Sequence, residues 1–390
     1  MAPHTTLAPA QKTLLEALAD GRPRTRSDLT EVTGWTRNTV AARLDELIHL
    51  DWVVANEEPR GGRGRPPGLF TLNADRAVVF VASFGHTRAT WAVTDLLGRT
   101  LASRTERLDI GIGPEGAMTK TRDVAKDLFA AAKRPSSALA SVVVGLPSPI
   151  HTVTRRPIHP WALPGWIGAD VGGAFGRVFG VPVWVENDAK LMTIGARIRH
   201  FPDVQDLIFI KVSSGIGAGI YSGGVLQRGV LGMAGEIGHL RIAASDKRCA
   251  CGNVGCVLVH VSTGGIIDAL AESGIQVSDL DDIAALANRG DADCTRALRQ
   301  AGRYLGEIVA TLLASLNPEV VALGGTLGSL GDNLLAGMRE SLYAHAHPTL
   351  TSSLHTVSFG DHEMAAIRGA AHLGLADILS RVPSGTGLDA

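Results

Sequence analysis

Gly232-Met-Ala-Gly235-Glu236-Ile-Gly238-His239 is followed, nine residues later, by Cys249-Ala-Cys251-Gly-Asn-Val-Gly255-Cys256. Three of the chain's four cysteines lie in the second half of this stretch, downstream of a single histidine. Thiolate and imidazole are the donors zinc prefers, and four of them close a tetrahedral shell with no position left for substrate. His239, Cys249, Cys251 and Cys256 are therefore expected to hold a structural Zn2+. Two alternatives are a Cys249–Cys251 disulfide, strained at so short a spacing, and a chance gathering of small buried thiols. A histidine joined to three close cysteines favours the metal.

Around this stretch, 390 residues with 45% hydrophobic and 19% charged content are enough to bury two or three cores, so a multidomain chain is expected. The formal net charge of −1 excludes a global basic field for nucleic acid, leaving local placement of arginines as the route to DNA. Four cysteines in a chain of this length fit a reducing compartment better than a disulfide scaffold. The opening Met1-Ala-Pro-His-Thr-Thr lacks a basic region followed by an apolar one, and no later apolar run approaches a membrane span. A cytoplasmic protein with no membrane contact is expected.

Residues 1–73 have their own pattern. Leu14, Leu15 and Leu18 recur at helical spacing between Leu7 and Ala19, and a second short helix is expected from a Ser27 cap to Thr33. Gly34-Trp35 makes a turn, and Thr36 caps a third helix whose apolar face is Val40, Leu44, Leu47 and Ile48. This is a helix-turn-helix. Trp52 to Ala55 and Gly68 to Leu72 look like strands flanking an Arg-Gly-Gly-Arg-Gly-Arg-Pro segment, the wing of a winged helix. Arg37 and Asn38 would reach base edges in the major groove, with Arg43 at a phosphate or in packing. Arg63 and Arg65 on the wing would enter a narrow minor groove. Residues 1–76 carry ten basic and ten acidic side chains, so arrangement rather than net charge argues for double-stranded DNA over a helical docking module.

From Val78 onward, short apolar runs alternate with helical segments and glycine turns. Strands are expected at Val78–Ala82, Ala89–Asp95, Ala140–Gly145, Val181–Val185, Leu207–Val212 and Val320–Leu323, with a helix over Glu115–Ala132. A glycine-rich loop is expected at 213–219. The alternation predicts an α/β body with parallel strands and ligands at strand ends.

The 232–256 stretch, Glu186-Asn187-Asp188-Ala189, the 213–219 glycines and Asn317-Pro318 through Gly324-Gly325 together resemble the ROK family of repressors and sugar kinases. The resemblance runs over the whole chain, winged helix included, as in the family's repressor branch. It implies an N-terminal winged helix-turn-helix (1–73) and a two-lobed, actin-like ATPase body. The smaller lobe would take 74–187 plus 363–390, and the larger, carrying the zinc loop and the oligomerisation surface, 188–362. It further implies that Asn187, Asp188, Glu236 and His239 bind a sugar effector, with His239 also ligating zinc, and that Asp188 is the base in family kinases. A homodimer or homotetramer on operator DNA would follow.

Three departures qualify this. Ser83-Phe-Gly-His86-Thr stands where the kinase branch carries Asp-x-Gly-Gly-Thr, so magnesium positioning is weakened and no phosphoryl transfer is expected. Leu258 replaces the glutamate with which the family's cysteine motif usually ends, removing charge-assisted hydrogen bonds worth about 1.5–3 kcal/mol each. Ala196 stands where an acidic residue is usual. The expected function is a sugar-sensing regulator without catalysis. Its alternatives are a hexose or N-acetylhexosamine kinase with a DNA-binding arm, and a regulator that no longer senses free sugar.

Overall fold

The computed structural model describes residues 9–56, 68–158, 163, 165–243, 245–330 and 332–381. Three helices open it: α1 (Pro9–Leu18), α2 (Arg26–Thr33) and α3 (Arg37–His49). The cap of α2 is Thr25, not Ser27. Thr25 Oγ1 accepts the Asp28 N–H at 3.2 Å and the Asp28 carboxylate accepts the Thr25 N–H at 2.8 Å, a reciprocal pair that Ser27 has no partner to match. Gly34, at φ 70°, ends α2 in the left-handed region that glycine enters without strain, and Thr36 caps α3. Val40, Leu44 and Leu47 face inward. β1 (Val53–Asn56) and β2 (Leu69–Leu72) then pair antiparallel, giving the hairpin that follows the helix-turn-helix. Arg63 and Arg65, expected on its tip, lie outside the described residues.

The body holds two five-stranded sheets of identical topology. The first runs β5-β4-β3-β6-β7, from β3 (Val78–Phe84), β4 (Arg88–Asp95), β5 (Thr100–Arg107), β6 (Leu139–Leu146) and β7 (Val183–Asn187). Helices α4 (Gly113–Ala131) and α5 (Val171–Phe179) lie between its later strands. α6 (Asp188–His200) crosses to the second sheet, ordered β10-β9-β8-β11-β12. Its strands are β8 (Leu207–Val212), β9 (Ile216–Ser222), β10 (Val225–Leu226), β11 (Val320–Gly324) and β12 (His355–Ser358). Between β10 and β11 come α7 (Leu258–Val261), α8 (Thr263–Glu272), α9 (Leu280–Asn288) and α10 (Ala292–Leu316). α11 (Gly325–Gly328), α12 (Asp332–His345), α13 (Pro348–Thr351) and finally α14 (His362–Ser380) complete the chain.

Each sheet is mixed, which corrects the expectation of parallel strands. β3-β4-β5 and β8-β9-β10 are antiparallel meanders, while β6, β7, β11 and β12 add in parallel. The turns from β3 to β4 and from β8 to β9 are too short for the crossover that parallel pairing needs. The glycine run at 213–219 is likewise loop only as far as Gly215, because Ile216 onward is β9. Gly219 of β9 makes room for a helix: a Cβ there would lie 1.9 Å from Thr193 Oγ1 and 2.4 Å from Thr193 Cβ on α6, whereas one on Gly217 would make only an ordinary contact, 3.4 Å from the Ala189 Cβ.

α6 also meets α14 at a crossing of unusual closeness. A Cβ at Gly195 would sit 1.9 Å from the Ala365 carbonyl oxygen, and one at Gly369 would sit 2.0 Å from that of Leu191. On its other side α14 touches the winged helix. Leu14, Leu15, Leu18, Leu44, Leu47 and Phe70 share one buried cluster with Val79, Val81, Leu191, Ile367, Ala370, Leu375 and Leu379. The N-terminal unit is thus seated on the body by continuous apolar burial, the non-directional term that dominates folding. Ala196 is fully buried in a neighbouring cluster with Phe209, Ala365 and Ala366, where a carboxylate would be stranded without a partner. No helix among the described residues is long and apolar enough to cross a membrane.

Candidate functional site

The junction of β7 and α6 carries the first polar group of the site. Asn187 is the N-cap of α6: its side-chain oxygen accepts the Lys190 N–H at 3.1 Å, and its amide donates to the Ser148 carbonyl at 3.2 Å. Asp188 is therefore free of the capping role, although its Oδ1 takes the Ala189 N–H at 2.7 Å. Its Oδ2 pairs with the ammonium of Lys211 on β8, and both side chains are buried. Preceding them, Glu186 accepts from the Asn187 N–H at 3.0 Å and from Arg228 Nε at 2.9 Å.

Asn187, Asp188, Glu236 and His239 all line one cavity of about 200 Å³ between the sheets, with Lys211 at its edge. Pro147, Pro149, Ile216, Ala250 and Leu258 supply the apolar side chains of the lining. A second cavity of about 330 Å³ adjoins it, shares His86, Asp188, Lys211 and Ser214, and includes Ser83. Ser83 is the penultimate residue of β3 and His86 lies in the following turn, where its Nδ1 meets Ser214 Oγ at 3.1 Å. The β3–β4 and β8–β9 turns are thereby joined across the cleft. At the mouth, Arg88 reaches Asp281 at 3.5 Å and Arg107 reaches Asp279 at 3.5 Å, linking the first sheet to the start of α9.

Burial pushes the Glu236 carboxyl up to about 7, with the Asp188 charge adding to the rise against the attraction of Lys190 and Lys211. A folded-state value raised above the ordinary 4.5 means that the native protein holds the proton more tightly than the unfolded chain. Stability from this group is thus present below pH 4.5 and lost as pH rises through about 7. Glu236→Gln is expected to remove that decline. Urea unfolding of both proteins at pH 5, 6.5 and 8 checks it, and a wild-type-minus-variant difference that stays flat with pH would count against it.

The cysteine loop forms one wall of the cavity through Ala250 and Cys251. All four cysteines of the chain are free, which disposes of the Cys249–Cys251 disulfide. The ligand atoms of His239, Cys249, Cys251 and Cys256 lie within 4.8 Å of one another and could hold a metal ion. Cys251 Sγ is 3.6 Å from Cys256 Sγ, and Cys249 Sγ is 3.7 Å from His239 Nδ1. Zn–S bonds of about 2.3 Å at tetrahedral angles place donors roughly 3.8 Å apart, so the residues fit the ion. Burial, with the neighbouring thiols, pushes Cys256 up to about 12, a crowding of potential anions that a divalent cation reverses. Burial also lowers the His239 pKa, favouring the neutral imidazole that ligates metal.

On the N-terminal unit, Arg37 and Asn38 stand exposed at the start of α3. Arg43 is instead held by Glu46 at 2.7 Å, and Glu46 also accepts from Gln11 at 2.8 Å. Arg43 is thus ion-paired within the helical unit.

Sequence reasoning missed Lys211, Lys190 and Arg228, and gave Glu186 no role beyond its place in a motif. Lys211 did carry a signal, being a charge within the otherwise apolar strand Leu207-Ile-Phe-Ile-Lys-Val. A buried ammonium demands a partner. Lys190 reaches from α6 to the Gly232 carbonyl at 2.6 Å, which anchors the loop leading to Glu236.

Residues 82–376 match the family model described as "ROK family". The xylose repressor of Bacillus subtilis (strain 168) is 26% identical over 346 residues, covering 88% of this chain and 88% of its own. The xylose repressor of Caldicellulosiruptor bescii is 25% identical over 399 residues, covering 97% and 99%. A ROK family transcriptional regulator, a homologue of the Escherichia coli MLC protein, superposes with a TM-score of 0.78 at 22% identity over 95% of this chain and 98% of its own. The ROK hexokinase of Thermus thermophilus gives 0.62 at 22% identity but covers only 77% of this chain against 99% of itself. With the twin sheets, the cleft between them and the family model running over most of its length, this chain belongs to the ROK family.

Proposed function

We propose that this protein is a sugar-responsive transcriptional repressor. It binds operator DNA through the winged helix and an effector in the cavity of Asn187, Asp188, Glu236 and His239, without phosphoryl transfer. The observation that carries this is the α6–α14 crossing. The helix that presents Asn187 and Asp188 touches, backbone to backbone, the helix on which the winged unit is seated. A ligand that favours one placement of α6 therefore biases the winged helices, provided it binds that placement more tightly. The xylose repressor of Caldicellulosiruptor bescii matches 97% of this chain, which leaves no room to omit the winged unit, whereas the hexokinase covers 77%.

The lobes of this mechanism are 74–187 with 363–390, and 188–362. A structural Zn2+ on His239, Cys249, Cys251 and Cys256 would stiffen the cavity wall that bears Ala250 and Leu258. As a homodimer or homotetramer, the protein would place two winged helices on a palindromic operator. Catalysis is disfavoured because Lys211 occupies the Asp188 carboxylate that would act as base. Ser83 supplies no carboxylate for magnesium, and His86 bonded to Ser214 spans the place where phosphate would pass.

A gel-shift assay on the DNA upstream of the protein's own coding sequence, with and without a panel of monosaccharides, tests this. Sugar-dependent release is expected. Retention of DNA with every sugar, together with ATP-dependent turnover lost in Asp188→Asn, would establish the kinase alternative. Arg37→Ala and Asn38→Ala are each expected to cost about 1–3 kcal/mol of operator affinity and to relax base preference at one position. A uniform loss across all sequences would place these side chains on phosphates instead.

A further inference from the structure

Lys190 stands two residues after Asp188 on α6 and is only 2% exposed. Lysine is among the residues least often buried, because an ammonium taken out of water must be given a partner. Here the Nζ donates to the Gly232 carbonyl at 2.6 Å, with the Glu186 and Glu236 carboxyls as neighbouring acidic groups. Gly232 lies in the middle of a strap, residues 228–236, that is tied along its whole length. Arg228 Nε at its start donates to Glu186 on β7 at 2.9 Å, and Thr152 Oγ1, between β6 and α5, donates to the Val230 carbonyl at 2.6 Å. Gly232 itself, at φ 84°, passes so near this segment that a Cβ would lie 1.9 Å from the Ile150 carbonyl oxygen. At the far end the Gly235 carbonyl accepts the Ala218 N–H of β9 at 2.7 Å, and the next residue is Glu236 in the cavity. The strap thus touches both halves of the body and ends on a cavity group, and Lys190 ties it to α6. The residue after Lys190 is Leu191, whose carbonyl faces Gly369 of α14 at the close crossing.

We propose that Lys190 couples the effector cavity to the winged helix by pinning the 228–236 strap to α6. A ligand held at Glu236 selects one placement of the strap. An ammonium left buried without its carbonyl would bear the full cost of desolvation, so the pin follows the strap rather than letting go. The displacement enters α6 one residue before its contact with α14. This rests on the reading of the cavity as a sugar site, and it separates two routes into α6: through the strap and Lys190, or directly through Asn187 and Asp188 at the start of the helix.

The test is Lys190→Met in the full-length, zinc-loaded protein, which keeps an unbranched apolar stem and removes the donor while leaving Asn187 and Asp188 in place. Calorimetric titration with D-xylose, D-glucose and N-acetyl-D-glucosamine measures sugar binding, and operator affinity is measured without sugar and at saturating sugar. In the wild type the sugar that binds is expected to weaken operator binding on the order of 5–150-fold, and in Lys190→Met this ratio is expected to fall to about threefold or less. Binding of the sugar, and of operator in its absence, is expected to persist, a split that mere loosening of the fold would not give. An unchanged ratio in a folded Lys190→Met protein overturns the inference alone and assigns the signal to Asn187 and Asp188. So does loss of sugar binding itself, which would make Lys190 a residue that shapes the cavity. A wild-type protein whose operator affinity ignores all three sugars overturns the sugar-responsive reading and this inference with it. If Lys190→Met does not fold, hydrogen exchange of the wild type decides: sugar is expected to change the amides of 228–236 and of 188–195 together, and any other pattern overturns the coupling.

Discussion

Gly369→Ala is expected to uncouple sugar from DNA. The added Cβ would lie 2.0 Å from the Leu191 carbonyl oxygen, 2.9 Å from its carbon and 3.0 Å from the Gly195 nitrogen, all backbone atoms that no rotamer change can move. The two helices must separate, and overpacking of this kind typically costs about 1–3 kcal/mol and sometimes more. Because α6 carries Asn187 and Asp188 at its start while α14 seats the winged helix, the displacement falls on the contact proposed above to carry the signal. Gly195→Ala, opposed by the Ala365 carbonyl, is expected to act in the same way. Gly360, just before α14, has nothing within 4 Å of a built Cβ, so Gly360→Ala serves as the neutral control. Urea unfolding measures the stability loss, and gel shifts with and without sugar measure the response. A Gly369→Ala protein with wild-type stability and a wild-type ratio of sugar-bound to free operator affinity would refute the coupling route.

The second large effect concerns the cysteine loop. Cys256→Ser or Cys251→Ser is expected to release the metal, lower the melting temperature and weaken sugar binding together, since Cys251 and Ala250 border the cavity directly. Cys256 is fully buried, so its loss also leaves a poorly packed polar oxygen in place of sulfur. The stability cost is expected to be a few kcal/mol. That is well below the ~10–16 kcal/mol with which zinc binds a finger peptide, because the sheets of this protein have cores of their own. Metal content by atomic emission, thermal melts with and without chelator, and sugar titration read the three effects separately. A folded variant that keeps one zinc per chain would remove that cysteine from the ligand set, and one that loses zinc but binds sugar normally would separate the loop from the cavity.

Much of the fold was legible because its signals are local. The i, i+4, i+7 pattern of Val40, Leu44 and Leu47 needs only one helix turn after another, and all three are buried. Six of the ten body strands among the described residues were recovered from apolar runs, with ends displaced by up to two residues, as at β7, which begins at Val183 and continues into Asn187, whereas β5, β9, β10 and β12 were not foreseen. Strand direction was not legible. An apolar run has the same composition whether its neighbour is parallel or antiparallel, and only the short turns after β3 and β8 decide it. The same limit applied to Gly219 in the glycine run, where the requirement for no side chain came from Thr193 on α6 across the strand and not from a loop.

By itself, the sequence pointed to the His239, Cys249, Cys251 and Cys256 cluster and the helix-turn-helix through spacing along the chain, and to the polar set at 187, 188, 236 and 239 through a family pattern, and the fold gathers each set in one place. Tertiary structure alone decided that Lys211 neutralises Asp188, that His86 bonds across the cleft to Ser214, and that Gly195 and Gly369 let two helices meet. Each of these joins residues from elements distant in sequence, and such pairings follow from how whole sheets and helices stack. Burial and close backbone approach are properties of the packed molecule, and no local window of residues carries them.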